Sequence, residues 1–500
     1  MLYRLQEWLP DHPAHLNPGA ITALNVYPRA KSYGPIAALA NFSGALTGGA
    51  NRGASFMRDA DGDVNCFAGT ATTLERLDSS LVGVWEDVSK AGGYTVPAGD
   101  LWSFATFGQR VIACNLDVAA QSYVVGSSTD FADLAAAAPK AKVAGVVNDF
   151  LVLGNTWDST DTYRPNRIWW SAINDPTTWP TIGSVTAAQV QSDRQDFPDG
   201  GGVQAIVGGL LGADGVIIQE RSVRRATYVG PPTVFTFSEV QGARGTTAPN
   251  SVIRVGGVCY YYGVDGFCAF DGVNTIPIGD ERVNDYFIRT IAGTAYLPLM
   301  TATYDPKKAI VIWAYHTSAS TGNPDRQIIY SPRANKWSEA AFSCETLVNN
   351  GAFFGYTLEE LDSISSSLDS LAFSLDSVVW KRGDTAPSAF DTSHQLSFFT
   401  GSNLAATVDT GEFAREDGYR IIVEGLRPIV DGGTVTAALL WRDTPQASLT
   451  TNTATSVGAD GVCPQRQSCR YGRGRISVAA GGDWQHASGI EPDMAPEGLR

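Results

Sequence analysis

Apolar and polar positions alternate along this chain in short runs, and the runs come in pairs. A β-rich stretch meets a polar or Gly turn, and a second β-rich stretch follows at once. The pattern occurs six times, with turns at Asp61-Gly62, Gly108-Gln109, Asn148-Asp149, Asp214-Gly215, Gly256-Gly257 and Pro306-Lys307. Each predicts a β-hairpin, because Gly, Asn and Asp tolerate the positive φ that tight hairpin turns require. Four of the five gaps between successive turns are 40 to 50 residues long. That is the size of one four-stranded propeller blade. The longer gap holds a loop over 188–202, rich in Asp, Gln and Gly. A lone blade cannot bury both faces, so such units must pack against neighbours around a ring. The pattern therefore predicts an all-β protein whose main body, 20–395, is a six-bladed β-propeller.

Helix signals are few. The stretch 130–142 carries Ala135 to Ala138 and could form a turn or two. Between 357 and 377, Leu358, Leu361, Ile364, Leu368, Leu371 and Leu375 recur at spacings of three and four. This predicts a short helical or loop insertion with one apolar stripe, read as packing rather than as a partner-binding helix. From 396 to 500 a new set of alternating strands and Gly-rich turns predicts a C-terminal β platform domain, ending in an extended tail. Residues 1–19 read as an N-terminal arm rich in Pro and Asn. The following segment, Ala20 to Tyr33, is expected to supply one strand of the last blade and so protect its edge.

Composition narrows the function classes. The chain has 500 residues, 52 Gly and 25 Pro, with only 17% charged residues, which suits many short strands and turns. Its net charge of −15 opposes phosphate-backbone binding, which needs Lys and Arg to displace counterions. The seven cysteines (Cys66, Cys114, Cys259, Cys268, Cys344, Cys463 and Cys469) are odd in number and include no CxxC pair. They predict free thiols, not a disulfide framework or zinc site, and fit assembly in a reducing cytoplasm. The opening MLYRLQEWLPDHP does not read as a signal peptide, and no apolar run is long enough to predict a transmembrane helix.

No catalytic constellation stands out. Arg221, Arg224 and Arg225 cluster near Tyr228, but in one short segment, whereas a propeller active site draws residues from several blades. Nucleophile-elbow and P-loop motifs are missing, and His12, His15, His316, His394 and His486 show no metal-ligand spacing. Asp59, Asp61 and Asp63 resemble part of a calcium loop, yet Ala68 occupies the position of the closing Glu, so a β-turn is expected. Trp169-Trp170, Trp179, Tyr260-Tyr261-Tyr262, Trp313 and Trp337 are expected to pack between blades rather than form a sugar shelf. The chain is therefore expected not to be an enzyme, and to need no cofactor and no metal.

Several segments carry a resemblance. The arm holds Trp8-Leu9-Pro10-Asp11-His12-Pro13, then Asn17-Pro18-Gly19, Ala23-Leu24-Asn25-Val26-Tyr27-Pro28 and Tyr33-Gly34-Pro35. Further on come NRIWWSAINDPTTWP, QERSVRRATYVG, a middle region from FTFSEVQGARGTTAPNS to YYYGVDGFCAFDG, and LDSISSSLDSLAFSLDS. In this order, over most of 1–380, they resemble the tail nozzle family of short-tailed phages, also called tail tubular protein B or the packaged-DNA stabilisation protein. The likeness is looser over the C-terminal domain.

The resemblance implies a virion structural protein of the phage tail. Six copies would form a ring below the portal and adaptor, holding packaged DNA and then conducting it during ejection. DNA would pass without specific binding, past an inner wall expected to be acidic. Implied partners are further copies of the chain, the tail adaptor and tail fibres, with no membrane anchor. Within the arm, Trp8, Pro10 and Asn17 are the expected partner-binding residues. The competing reading is a surface-exposed propeller that binds or cleaves host glycans. A cellular scaffold propeller ranks lower, since WD dipeptides are missing.

Overall fold

In a computed structural model the described residues are 2–78, 83–210, 213–240, 242, 244–354, 384–414 and 419–497. The chain is 48% strand and 5% helix, which makes it all-β. Its centre is a series of four-stranded antiparallel meanders. The first five span 54–87, 103–133, 140–196, 203–239 and 253–277, each a separate sheet. A sixth, 301–340, opens a ten-stranded sheet. The seventh joins Thr346–Val348, Ser388–Phe390 and Gln395–Phe398 to Ala40–Ala45 from near the N-terminus.

The units therefore number seven, not the six that the hairpin count predicts. The six predicted hairpins open the first six meanders. Gly108 and Asn148 take φ of 56° and 51° at two of the turns, as the tight reversal demands. The fourth hairpin turns earlier than its Asp-Gly pair, because Asp214 and Gly215 already lie in the strand Ala213–Gln219. The seventh unit escapes a local search because its strands come from both ends of the sheet-forming chain, and its first two are about forty residues apart.

Inner strands such as Val64–Gly69 and Ile310–Tyr315 are buried along their whole length. Their period-two geometry explains why. In the second meander, Val111 and Ala113 pack with Phe67 and Leu74 of the first, whereas Ile112 and Cys114 pack with Leu151 and Leu153 of the third. In the third, Phe150 and Val152 pack instead toward Ile206 and Phe235 of the fourth. In the fourth, Val216 and Ile218 face Tyr261 and Phe270 of the fifth. In the sixth, Val311 and Trp313 join Phe267 of the fifth, while Ile310 and Ile312 join Leu347 and Ala389 of the seventh. Phe390 and Phe398 of the seventh then pack with Phe56, Cys66 and Trp85 of the first. Every meander is thus flanked by two apolar clusters, and the succession returns to its start.

The remaining strands build two larger sheets. Beyond Lys336–Ala340 the ten-stranded sheet continues through Thr22–Leu24, Ala406–Asp409, Tyr471–Val478 and Val435–Arg442. A six-stranded sheet holds Val26–Pro28, Tyr33–Pro35, Ala487–Pro496, Ile421–Val430 and Cys463–Cys469, with Tyr3–Arg4 at its side. Val423 and Leu426 of the second sheet share one core with Leu439 and Ile476 of the first.

Several local expectations change here. The 20–33 segment does not close the last meander. Leu24 pairs in parallel with Glu339 of the sixth, and the closing strand is Ala40–Ala45. Up to the last described residues the predicted tail is ladder, since Ala487–Pro496 forms the longest ladder of its sheet with Ile421–Val430. Residues 130–142 form a short strand and turns instead of a helix, and the loop 188–202 contains the strand Asp193–Asp196. The predicted insertion at 357–377 lies outside the described residues. All seven cysteines are buried and free, and burial pushes the Cys66, Cys114, Cys259, Cys268 and Cys344 thiols well above their usual range.

Candidate functional site: the N-terminal arm and an adjoining basic cleft

The arm lies on its own chain. Tyr3 and Arg4 pair with Ile490 and Gly489, and Leu5 is buried beside them. Trp8 is 1% exposed, its Nε1–H donating to Ile21 O at 3.0 Å and its ring set edge-on to Tyr286 at 5.0 Å. Asn17 is also buried. Its Nδ2 donates to Leu9 O and its Oδ1 accepts from Gly19 N, both at 2.8 Å, which closes the 9–19 loop. Pro10 is half-buried in the turn between them. Two of the three expected partner-binding side chains, Trp8 and Asn17, are thus taken up inside this subunit. An indole of that size is more stable packed in the shared core than laid on a partner.

Charged contacts fix the same strap. Asp11 accepts from Asp285 N at 3.0 Å and Tyr286 N at 2.7 Å, capping the helix Asn284–Thr290 in place of its own N-cap residue Val283. Glu7 is ion-paired with Arg282. Burial raises the Glu7 and Asp11 carboxyls above the ordinary carboxylate range, with Arg282 and the helix N–H groups acting in opposition.

Beside the strap is a cleft of about 620 Å³ where three turns meet. Tyr27–Ser32 supplies Arg29 and Lys31, the turn after Asp305 supplies Lys307 and Lys308, and the turn after Ser331 supplies Arg333. His486 and Ser488 of the six-stranded sheet complete the wall. Each basic turn begins with a proline (Pro28-Arg29, Pro306-Lys307, Pro332-Arg333). Proline presets the backbone of a turn and leaves the following side chain outside the ladder. Asp305 Oδ1 accepts from Lys307 N at 2.9 Å and Lys308 N at 3.1 Å, holding the second turn. Lys336 Nζ donates to Ala30 O at 2.9 Å and ties the first turn to the third.

Inside the cleft, the Tyr27 ring carries two cations. The Arg29 guanidinium is 5.1 Å and the Lys308 ammonium 5.3 Å from its centroid. Arg29 Nη1 lies 3.3 Å from His486 Nε2, and His486 Nδ1 lies 2.8 Å from Ser32 Oγ, both at hydrogen-bond distance. Burial pushes the Lys308 ammonium below the usual lysine range, Arg29 pushes the same way, and Asp305 opposes both. Lys307 pairs with Asp384 at 2.6 Å and Lys308 with Asp305 at 3.8 Å. Among the described residues no carboxylate pairs with Arg29, Lys31 or Arg333.

Other sequence candidates do not converge. Asp59 Oδ1 accepts from Asp61 N and Asp63 N, which makes the DADGD stretch a side-chain-locked turn. No group of three or more metal-ligating side chains occurs among the described residues. Arg224 bonds Gln219, sits over the Phe197 ring and is 3.5 Å from Glu239, while Tyr228 donates to Gln191. Trp169, Trp170, Trp179, Tyr261, Tyr262, Trp313 and Trp337 are all buried between sheets. Among the described residues no helix is long and apolar enough to cross a membrane.

Sequence reasoning missed the basic cleft. Its signal was present as three Pro-basic pairs in an acidic chain, but the first lies 278 residues before the second, with the third 26 beyond it, and only the sheet register brings them together.

No family model matches this sequence, and no curated protein matches it. Among solved structures it is similar to a computationally designed protein, Ika8, at 8% identity and a TM-score of 0.37, over 79% of this chain and 99% of that one. A likeness of that strength carries no argument about fold or function.

Proposed function

We propose that this chain is a virion structural protein of a short phage tail, a seven-bladed β-propeller fused to a β platform. In this reading it assembles as a sixfold nozzle ring below the portal and adaptor, and the ring retains packaged DNA and conducts it during ejection. One observation carries the propeller: the odd and even residues of the inner strands enter different apolar clusters, and the seventh cluster joins the last meander to the first. The borrowed strand Ala40–Ala45 supports it further, since a ring of blades is commonly locked by pairing the two ends of the chain in one sheet. The phage assignment rests on the ordered motifs of the arm and the middle region, and on an acidic chain suited to letting a polyanion pass.

With Trp8 and Asn17 committed to the subunit, ring contacts fall to other surfaces. A ring of like subunits needs a head-to-tail interface that closes by rotation. Mass photometry of the purified chain, alone and mixed with the portal–adaptor complex of the same virion, tests the reading. It expects the complex to gain about 319 kDa, six copies of 53.2 kDa. A chain that never joins the complex contradicts it.

A further inference from the structure

Five cations line the cleft beside the strap, and only two of them have a carboxylate partner among the described residues. In a chain of net charge −15, Arg29, Lys31, Lys307, Lys308 and Arg333 line one cleft, and carboxylates pair with only the two middle lysines. Like charges held this close repel, and the repulsion grows where water is excluded. Arg29 is the sharpest case. It shares the Tyr27 ring with Lys308, and its Nε is buried with no hydrogen-bond partner. A buried guanidinium N–H costs free energy unless an acceptor reaches it. Arg29 Nη1, by contrast, is within hydrogen-bond distance of His486 Nε2. The surrounding turns are held by Asp305 and by the Lys336 contact to Ala30 O, so the backbone positions that carry the cations are fixed.

These features fit an anion rich in acceptor oxygens. A planar carboxylate offers two oxygens, enough for one guanidinium. Cations arriving from three turns match the three oxygens and higher charge of a phosphoryl group. A cleft of about 620 Å³ has room for more than one such group. We infer that this cleft binds a phosphate-bearing polyanion of two or three phosphoryl groups, gripped by Arg29, Lys31 and Arg333. The site does not depend on ring assembly, because all its walls come from one copy of the chain.

Isothermal titration of the full chain with inorganic tripolyphosphate tests this, with sodium sulfate at matched ionic strength as the control. The expected result is saturable one-site binding that sulfate does not reproduce. The double variant Lys31→Gln, Arg333→Gln should weaken binding by about tenfold or more, since each removes a charge-assisted contact. Both side chains are exposed and sit among like charges, so the unliganded melting temperature should not fall, and Lys31→Gln alone serves if the pair fails to fold. A twelve-base-pair DNA duplex, added as competitor, separates the two sources. Displacement of tripolyphosphate assigns the site to nucleic-acid backbone, and failure to displace assigns it to a free polyphosphate. Tripolyphosphate binding no tighter than sulfate, affinity unchanged in the variants, or equal competition by oligoglutamate would overturn the proposal.

Discussion

Glu412 holds two arginines at once in the described core of the platform. It accepts from Arg442 at 2.8 Å and from Arg473 at 2.9 Å, and all three side chains are less than 10% exposed. Breaking a buried pair leaves an uncompensated charge, which costs more than the pair contributed. Glu412→Gln leaves two guanidinium groups facing a neutral amide, and should lower stability by about 3 kcal/mol in urea unfolding. Arg167 shows the same logic nearer the surface. It bonds Asp196 through Nε and Nη2 and also reaches Asp158 and Asp161. Its hydrogen bonds are the leading cause that holds the Asp196 and Asp161 carboxyls below the ordinary value of 3.8. A depressed carboxylate stabilises the fold above its unfolded pKa, and that stabilisation is lost as pH falls through the folded one. Wild-type stability should therefore drop below about pH 4, and Arg167→Met should flatten that drop in melts recorded from pH 5 to pH 2. An unchanged acid limb would remove Arg167 from this role.

Among the elements, the strand Ala40–Ala45 has the largest consequence for its size. It pairs with Gln395–Phe398, and its Ser43 Oγ accepts from Leu396 N and Trp85 Nε1, touching the seventh and first meanders together. Its Phe42 stacks on Phe354 at 5.6 Å and meets Phe398 edge-on at 5.3 Å. Phe42→Ala should cost about 3 kcal/mol and make the segment 36–50, which carries this strand, more open to limited proteolysis. Protease resistance equal to wild type would mean that the clasp does not hold the ring of sheets. Elements whose two halves adjoin in sequence could be read in advance: five hairpins were visible as apolar runs around Gly, Asn or Asp turns and a sixth around Pro306-Lys307. Elements assembled from distant strands could not. The seventh meander, the parallel pairing of Leu24 with Glu339 and the inward turn of Trp8 depend on which edges lie free after the rest has folded. Of the three Pro-basic turns only Pro306-Lys307 was legible as a turn, and the convergence of the three was not.

For the whole molecule, the acidic balance and the basic cleft are compatible, because they belong to different scales. Net charge sets how the surface treats a passing polyanion, while a cleft with fixed cations can hold a small one. Stability of the body depends on the chain of seven apolar clusters, in which each sheet needs both neighbours to bury its faces. The measurement that bears most directly on the proposed tail role is a cryo-electron-microscopy reconstruction of a short phage tail assembled in the presence of the chain. The account predicts a sixfold ring below the portal and adaptor, each subunit showing seven four-stranded wedges around one axis. A subunit with an open row of sheets, or a tail in which the chain has no place, would contradict it.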